Sequence, residues 1–399
     1  MTTPSEIQNP KSKIQDPQGL LCFGGFARHD WGLLWQRQQA VMTRLAAQFE
    51  VYYIERFGTR RLGPGAMLRA LARRYLRPRR PTGGEPAGDL RFIDPRVAPF
   101  HASRLWRRRN FAALERAVED AWPRDLRRRI LWIYNPSYLA LEYLERHAGR
   151  WDRTVYDCVQ RFAFNRYYPR DIGEIDRAIA RCVDLVLTDS QTIHNEKKPL
   201  NPNTHFIPQG VDLERFAWQG VNRTPPDDLR WMSHPVLFYH GAWHQAFDES
   251  LVVAALDAIA GSTFIFVGPT LGREKNLLRR CGPRAACFGP VDHQRLGRYV
   301  NACDVLVIPY RMDEHTRGVF PTKFFEYVAT GLPIVATDLP DLRRYGDWAA
   351  LARNRDEFVE ACRAAASQPR RPPEVVLPFL EPHTWDRRVE RMLELLAID

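Results

Sequence analysis

Residues 316–340 read TRGVFPTKFFEYVATGLPIVATDLP, and this stretch decides the fold. Its pattern predicts a loop, a short helix, a buried strand and a second loop. Thr322 is placed to cap the start of the helix, and Gly331 follows its end, where a left-handed residue is favoured. The apolar, β-branched run 332–336 is typical of a strand that is covered on both faces. The stretch therefore predicts one helix–strand unit of a parallel α/β layer.

The start of the predicted helix is cationic. Arg317 precedes it and Lys323 lies in its first turn. Because helix N-termini attract anions, we expect phosphate to bind beside these side chains. Glu326, one turn further along, can accept hydrogen bonds from sugar hydroxyls. The remaining chain is expected to build a cleft around this unit.

Composition and charge bound the class of protein. The chain has 399 residues, of which 45% are hydrophobic and 12% aromatic, enough for about two to three domains with large cores. It carries 58 Lys and Arg against 47 Asp and Glu, a net charge of +11. This balance favours anionic partners such as nucleotides, phospholipid head groups or nucleic acid. A solvated arginine surface explains the same count, and both alternatives stay open at this point.

The cysteines and the N-terminus bear on the compartment. The seven cysteines form no C-x-x-C pair, and most lie in apolar segments, so we expect reduced core residues and a cytoplasmic setting. Residues 1–19 are polar, which predicts a flexible tail rather than a signal peptide. No run of about 18 apolar residues occurs, so no membrane-spanning segment is predicted.

The rest of the chain is predicted to form two sets of alternating strands and helices. The first set has strands at 20–25, 51–54, 90–93, 130–134, 154–158, 184–188 and 205–208, with helices at 33–49, 102–121 and 172–182. The second has strands at 236–240, 264–267, 285–288 and 305–308, with helices at 249–260, 272–280 and 293–301. The helix and strand of the opening stretch complete the second set.

These sets predict an α/β architecture of two Rossmann-like domains that face each other across a cleft. Its parts are a tail at 1–19, an N-terminal domain at 20–216, a polar linker at 217–233, a C-terminal domain at 234–372, and a Pro-rich link with a final helix at 373–399. Ligands of open α/β sheets bind beyond the carboxyl ends of the strands, which here means the cleft.

One further segment is basic and amphipathic. Within residues 65–80, helical spacing puts apolar side chains on one face with arginines beside them. Such a segment can dock on an anionic membrane surface, at the inner face of the cell membrane. The alternative is that its apolar face packs against the domain.

Five stretches give the chain a resemblance to a known family. They are Asp30-Trp31 with Leu34-Trp35-Gln36-Arg37; Val155-Tyr156-Asp157-Cys158; Leu187 to Ser190 with Ile207 to Asp212; Phe238 to Gly241; and Ile308 to Arg311 with Thr316-Arg317 and Pro321 to Tyr327. Their content and order resemble the GT-B glycosyltransferases of bacterial polysaccharide biosynthesis, in the glycosyltransferase-4-like, group 1 family. The pattern is also similar to xanthan-type glucuronosyltransferases.

The resemblance implies both a fold and a reaction. It implies a nucleotide sugar on the C-terminal domain, an acceptor on the N-terminal domain, and a C-terminal helix that crosses back to the first domain. The reaction would move a sugar from a nucleoside diphosphate sugar, normally UDP-linked, to a hydroxyl of a glycan or lipid-linked acceptor. GDP and dTDP sugars stay open.

The sequence departs from the family pattern in two places. Retaining members usually carry Glu-x7-Glu, but Gly318 stands eight positions before Glu326. Gln160 and Arg161 stand where relatives often have a further Asp after the strand that ends in Cys158. The stereochemical outcome is therefore open.

The donor site is expected to need no metal and no cofactor. No Asp-x-Asp occurs in the chain, so Arg317 and Lys323 with the helix start at Thr322 are predicted to neutralise the leaving diphosphate. Gly241 would let backbone amides approach a phosphate. Phe288 and Tyr310 would line the base and ribose pocket, although core packing explains both equally well.

An inverting reaction requires a general base for the acceptor hydroxyl. Asp157 ends a buried strand toward the cleft and is the first candidate, since partial burial would raise its pKa. Asp30 and His29, in the first loop, are the alternatives. A purely structural Asp157 is the competing interpretation.

Two other classes of protein would explain part of the sequence. A sugar-nucleotide epimerase shares this architecture. A basic nucleic-acid-binding protein would explain the charge, but neither a helix-turn-helix nor basic residues interleaved with stacking aromatics are evident, so no nucleic-acid partner is predicted.

Overall fold

The structure is a computed structural model, and it describes residues 18–28, 31, 35–55, 90–98, 104–217, 226–270 and 272–397. The proposed membrane segment 65–80 and the candidate bases His29 and Asp30 lie outside these residues. None of the helices in the described ranges is both long and apolar enough to cross a lipid bilayer.

The N-terminal domain is a seven-stranded sheet in the order β3-β2-β1-β4-β5-β6-β7, with parallel pairing throughout. The strands are β1 Gln18–Phe23, β2 Glu50–Ile54, β3 Arg91–Ile93, β4 Arg128–Ile133, β5 Arg153–Cys158, β6 Leu185–Thr188 and β7 Thr204–Phe206. The helices are α1 Arg37–Leu45, α2 Arg104–Ala121, α3 Tyr138–Arg146, α4 Ile172–Cys182, α5 Gln191–Lys197 and α6 Leu213–Phe216.

The C-terminal domain is a six-stranded parallel sheet in the order β10-β9-β8-β11-β12-β13. The strands are β8 Val236–His240, β9 Thr263–Val267, β10 Ala285–Phe288, β11 Val305–Ile308, β12 Ile334–Thr337 and β13 Ala350–Ala352. The helices are α7 Glu249–Ala258, α8 Lys275–Cys281, α9 His293–Asn301, α10 Lys323–Thr330, α11 Arg355–Ala365, α12 Pro373–Leu380 and α13 Trp385–Leu396. The predicted class, two Rossmann-like α/β domains, is confirmed.

The deciding stretch forms the centre of the second domain. All eight residues of α10 are buried, Gly331 ends the helix at φ +72°, and β12 lies between β11 and β13. The prediction for Thr322 was wrong in one respect: its backbone is already helical and its side chain caps no amide. The carboxyl ends of β8 and β11 and the start of α10 therefore meet at one edge of the sheet.

The Pro-rich link was also predicted wrongly. Residues 373–380 form helix α12, because proline is well tolerated at the first helical position. Val376 and Leu380 bury themselves in the core of the C-terminal domain. Amphipathic packing thus outweighs the helix-breaking composition.

The last helix joins the two domains. Trp385, Val389, Met392 and Leu396 of α13 belong to the core of the N-terminal domain, on the face of its sheet that α1 covers. Arg44 of α1 donates to Asp386 at 2.6 Å. At the other crossing, Phe216 packs into the C-terminal core, although the prediction assigned it to the first domain.

A buried ion pair lies at the carboxyl end of β5. Arg37 Nε donates to both oxygens of Asp157, at 3.0 and 2.9 Å, and Arg37 Nη1 donates to the carbonyl of Ile207 at 2.8 Å. Asp157 is 0% exposed. Burial raises the pKa of this carboxyl, while Arg37 opposes the shift. The pair ties α1, β5 and the segment after β7 together inside the N-terminal domain.

Replacement of Asp157 should destabilise the fold rather than only slow a reaction. We expect Asp157→Asn to lower the free energy of unfolding by about 3–5 kcal/mol, because Arg37 stays buried without its counter-charge. Urea denaturation followed by circular dichroism measures this loss.

Asp227→Asn is the matched control, since Asp227 pairs with Arg230 at 2.8 Å while its carboxylate is 86% exposed. Such a surface pair contributes about 0–1 kcal/mol. Equal stability of the two variants would contradict the structural role of Asp157.

Candidate functional site

The loop after β8 brings backbone next to a lysine. Gly241 has φ +128°, a conformation that side-chain-bearing residues rarely adopt, and its amide donates to the carbonyl of Val267 at 2.9 Å. A Cβ at Gly241 would lie 3.4 Å from Lys323 Cε. The glycine therefore lets the chain turn directly beside the start of α10. Phosphate binding at this turn stays a prediction.

Lys323 is the centre of this site. It is 4% exposed, and its Nζ donates to the Tyr310 hydroxyl at 2.8 Å. The same ammonium lies 4.7 Å from the centroid of the Tyr239 ring and 5.3 Å from that of Tyr310. Among the described residues, no carboxylate pairs with it. A buried ammonium held only by a phenol and two ring faces attracts an anion.

The neighbouring imidazoles do not compete for that anion as cations. Burial, together with the nearby charge of Lys323, lowers the pKa of His244 to about 3. Burial likewise lowers the pKa of His240, against the pull of Glu326. Lys323 thus carries the positive charge at this edge of the sheet.

Glu326 lies between two histidines that sequence reasoning missed. Its Oε2 is 3.2 Å from His240 Nε2, and its Oε1 is 3.5 Å from His293 Nε2. Burial opposes its charge, but His240 and His293 together lower the pKa of Glu326 to about 2. The carboxylate is therefore ionised and already in contact on both oxygens. His240 adjoins Gly241 in sequence, which was the available signal for it.

The remaining predicted donor residues divide into two groups. Tyr310 and Gly241 meet at Lys323, as described above. Phe288 ends β10, two strands away from β8, and its ring packs 6.1 Å from that of Tyr299. Arg317 projects outward, with its Nε 3.2 Å from Glu314 Oε1. The structure thus brings neither Phe288 nor Arg317 to the lysine.

The first candidate base is not at the cleft surface. Both oxygens of Asp157 face Arg37 in the interior, so an acceptor hydroxyl reaches neither. This geometry contradicts the expectation that Asp157 faces the cleft, and it favours the structural interpretation. His29 and Asp30 fall outside the described residues.

Arg161 crosses from the N-terminal to the C-terminal domain. Its Nη1 donates to the Glu314 carbonyl and lies 3.1 Å from Glu314 Oε2, while its Nη2 lies 2.7 Å from Glu196. A Cβ at Gly318 would be 2.5 Å from Arg161 Cδ. The arginine therefore fills the space above the glycine that replaces a family carboxylate.

The described residues contain no group of three or more His, Cys, Asp or Glu side chains arranged to hold a metal ion. The site that the structure does build is a cationic one, formed by backbone, a lysine and phenols. Its chemistry is that of binding and stabilising an anion, such as a phosphate, next to a carboxylate that can orient a neighbouring polar group.

Comparison with known proteins gives a family match and a sequence relative. Residues 234–368 match the family model described as glycosyl transferases group 1. The chain is 27% identical over 229 residues to a protein assigned to teichuronic acid biosynthesis as a glycosyltransferase, TuaH of Bacillus subtilis strain 168. That alignment spans 53% of this chain and 55% of the relative, so the chain matches about half of the relative's length.

Solved structures share the fold across the whole chain. A sucrose-phosphate synthase from Thermosynechococcus elongatus has a TM-score of 0.66 at 14% identity, over 95% of this chain and 98% of that one. HepE of Anabaena, solved with UDP and glucose, has a TM-score of 0.65 at 12% identity, over 95% and 99%. These likenesses give the GT-B fold. The similarity to group 1 glycosyl transferases in sequence is carried by residues 234–368.

Proposed function

We propose that this protein is a glycosyltransferase that moves a sugar from a nucleoside diphosphate sugar, UDP-linked, to a hydroxyl of a glycan or lipid-linked acceptor. The transferred group is a hexose or a hexuronic acid. The enzyme acts in cell-surface or exopolysaccharide biosynthesis, on the cytoplasmic side of the membrane. Its donor binds at the carboxyl edge of the C-terminal sheet.

The observation that carries this proposal is the buried, unpaired ammonium of Lys323. It stands at the N-terminus of α10, beside the backbone of Gly241 and without a carboxylate among the described residues. A diphosphate supplies the missing negative charge, and its leaving-group charge grows during transfer. Glu326, one turn along the helix, accepts hydrogen bonds from hydroxyls of the ribose or sugar when His240 and His293 move away from its oxygens.

Metal-independent catalysis follows from the same arrangement. The chain has no Asp-x-Asp, which is the usual carboxylate pair for a metal-bound diphosphate in glycosyltransferases. A fixed ammonium and a helix N-terminus perform the same electrostatic task. The nucleotide sugar is a substrate, and the proposal includes no cofactor.

Three further observations support the substrate class and the location. HepE, which shares the fold, was solved with UDP and with UDP-glucose. The TuaH relative is assigned to teichuronic acid biosynthesis. The sequence of residues 65–80 is basic and has the helical apolar spacing of segments that bind anionic lipid, which is where a lipid-linked acceptor would be found.

Nucleotide binding without metal is the first test. In the presence of EDTA, UDP at 100 times its dissociation constant should stabilise the full chain by about 2.7 kcal/mol, and so raise its melting temperature. GDP, dTDP and a short DNA duplex are measured alongside by differential scanning fluorimetry. Stabilisation by DNA and by none of the nucleotides would contradict the proposal.

Product analysis then separates transfer from the epimerase alternative. UDP-sugars are supplied with and without a membrane extract that contains lipid-linked glycans, and the products are separated by chromatography. We expect UDP release to depend on the extract and label to enter the lipid fraction. Conversion of the donor to its epimer with no acceptor present would contradict the transferase assignment.

Lys323→Ala tests the centre of the site. The variant should weaken UDP binding by about tenfold or more and lower kcat by about 10²- to 10³-fold, because a preorganised cation at the leaving phosphate is lost. Isothermal titration calorimetry and donor turnover measure the two effects.

Lys275→Ala is the matched control, since Lys275 is also the first residue of a helix, α8, but is exposed. It should leave both values unchanged. Normal donor kinetics in folded Lys323→Ala would remove the basis of the proposed site.

A further inference from the structure

Two arginines, one from each domain, converge on a single phenol at the cleft. Arg166, in the loop after β5, donates from Nη2 to the Tyr167 hydroxyl at 3.3 Å. Arg273, in the loop after β9, donates from Nη2 to the same oxygen at 3.1 Å. The Arg166 guanidinium also lies 5.2 Å from the centroid of the Tyr167 ring. One weakly basic oxygen thus serves two cations.

These two arginines lack the acidic partners that others have. Among the described residues, no carboxylate pairs with Arg166 or Arg273. Many other arginines of this basic chain do pair with one: Arg146 with Glu142, Arg284 with Asp257, Arg343 with Asp338, Arg353 with Glu357 and Arg363 with Glu360. The positive charge at Tyr167 is therefore uncompensated where the two domains face each other.

The positive charge of the two arginines changes the pKa of the Tyr167 phenol. Burial raises the pKa of Tyr167, but the hydrogen bonds from Arg166 and Arg273 outweigh burial and lower it. Both guanidiniums thus favour negative charge at the point where their donors meet. A carboxylate or phosphate oxygen would accept these donors more strongly than a neutral phenol does.

The surroundings of the pair suit a glycan. Asn165 Nδ2 donates to Gln160 Oε1 at 3.0 Å, Gln160 Nε2 donates to the Tyr168 hydroxyl at 3.4 Å, and Tyr168 donates to Asn135 Oδ1 at 3.1 Å. These amides and rings follow β4 and β5 at the carboxyl edge of the N-terminal sheet. Asn135 and Tyr168 are buried, whereas Gln160 and Asn165 are half-buried, so the latter two amides are the ones that present hydrogen-bonding groups to sugar hydroxyls.

The pair also adjoins the proposed donor site. Arg273 Nη1 is 3.5 Å from the carbonyl of Trp243, in the loop that begins at Gly241. Burial lowers the pKa of His244, in the same loop, and Lys323 and Arg273 both add to that shift. Lys323 and Arg273 therefore both adjoin this loop, Lys323 at Gly241 and Arg273 at Trp243.

We propose that Arg166 and Arg273 form a subsite for an anionic group, a carboxylate or a phosphate, on the acceptor glycan. The subsite uses one arginine from each domain, so it is complete when the cleft is closed. Assignment of the anion to the acceptor rests on the proposed transferase function, because Lys323 then holds the donor diphosphate.

The test uses matched probes and the full chain with UDP at saturation. p-Nitrophenyl β-D-glucuronide is compared with p-nitrophenyl β-D-glucoside, which has a hydroxymethyl in place of the carboxylate. Glucose 1-phosphate is compared with methyl α-D-glucoside, which lacks the phosphate. Saturation-transfer NMR titrations give each dissociation constant. We expect the anionic member of one pair to bind about tenfold tighter, as two charge-assisted hydrogen bonds predict, and the pair that shows the preference identifies the group.

Substitutions test whether Arg166 and Arg273 cause the tighter binding of the anionic probe. Arg166→Gln and Arg273→Gln should each abolish it, and the double variant should lose little more than either single variant, because both arginines hold one group. Arg279→Gln is the control, since Arg279 is exposed on α8 and donates to Asn276 at 3.0 Å. It should keep the full preference.

The outcomes separate this inference from the proposed function. Equal binding of anionic and neutral probes, or an unchanged preference in both glutamine variants, overturns the subsite while UDP binding stands. Displacement of UDP by the anionic probe also overturns it, because the anion then belongs to the donor phosphate site. A preference for the anionic probe in a protein that binds no UDP supports the subsite and overturns the donor assignment.

Discussion

The burial of one ammonium group, that of Lys323, determines which residues must surround it at the carboxyl edge of the C-terminal sheet. Lys323 is removed from water at the start of a fully buried helix, and its charge is offset by the Tyr310 hydroxyl and two ring faces. Glycine at 241 is required because the backbone turns at φ +128° against the lysine. Phenols stabilise such a cation only in part, and this incomplete stabilisation is the physical basis of the proposed anion site.

Elements with complete local signals could be predicted from the sequence. Strand β8 at 236–240 and helix α9 at 293–301 have the bounds that their residue patterns predicted without knowledge of the rest of the chain. Helix α5 could not be found in this way. It has seven residues, and its first amide donates to Asp341 of the other domain at 2.6 Å, so a tertiary contact stabilises a helix too short to be stable alone.

The residues of the candidate site also divide into those with local sequence signals and those that depend on tertiary contacts. Gly241, Tyr310 and Lys323 were predicted because a strand end, a turn and a helix start are local features that must meet at one sheet edge. The role of Asp157, at the end of β5, depends on Arg37 of helix α1. The two residues are 120 positions apart in sequence and meet in the interior of the N-terminal domain. Glu326 likewise meets His240 and His293 only after three elements assemble.

The two departures from the family pattern meet at one place in the structure. Gly318 and Arg161 belong to different domains, and read singly each is a missing carboxylate. In the fold they touch, since a side chain at 318 would run into the stem of Arg161. Arg161 also brings its own counter-ions, Glu196 and Glu314, so the position gains no free charge. An ion-paired contact between the domains thus stands at the position where the family pattern has a carboxylate, and Glu326 has no acidic partner at residue 318.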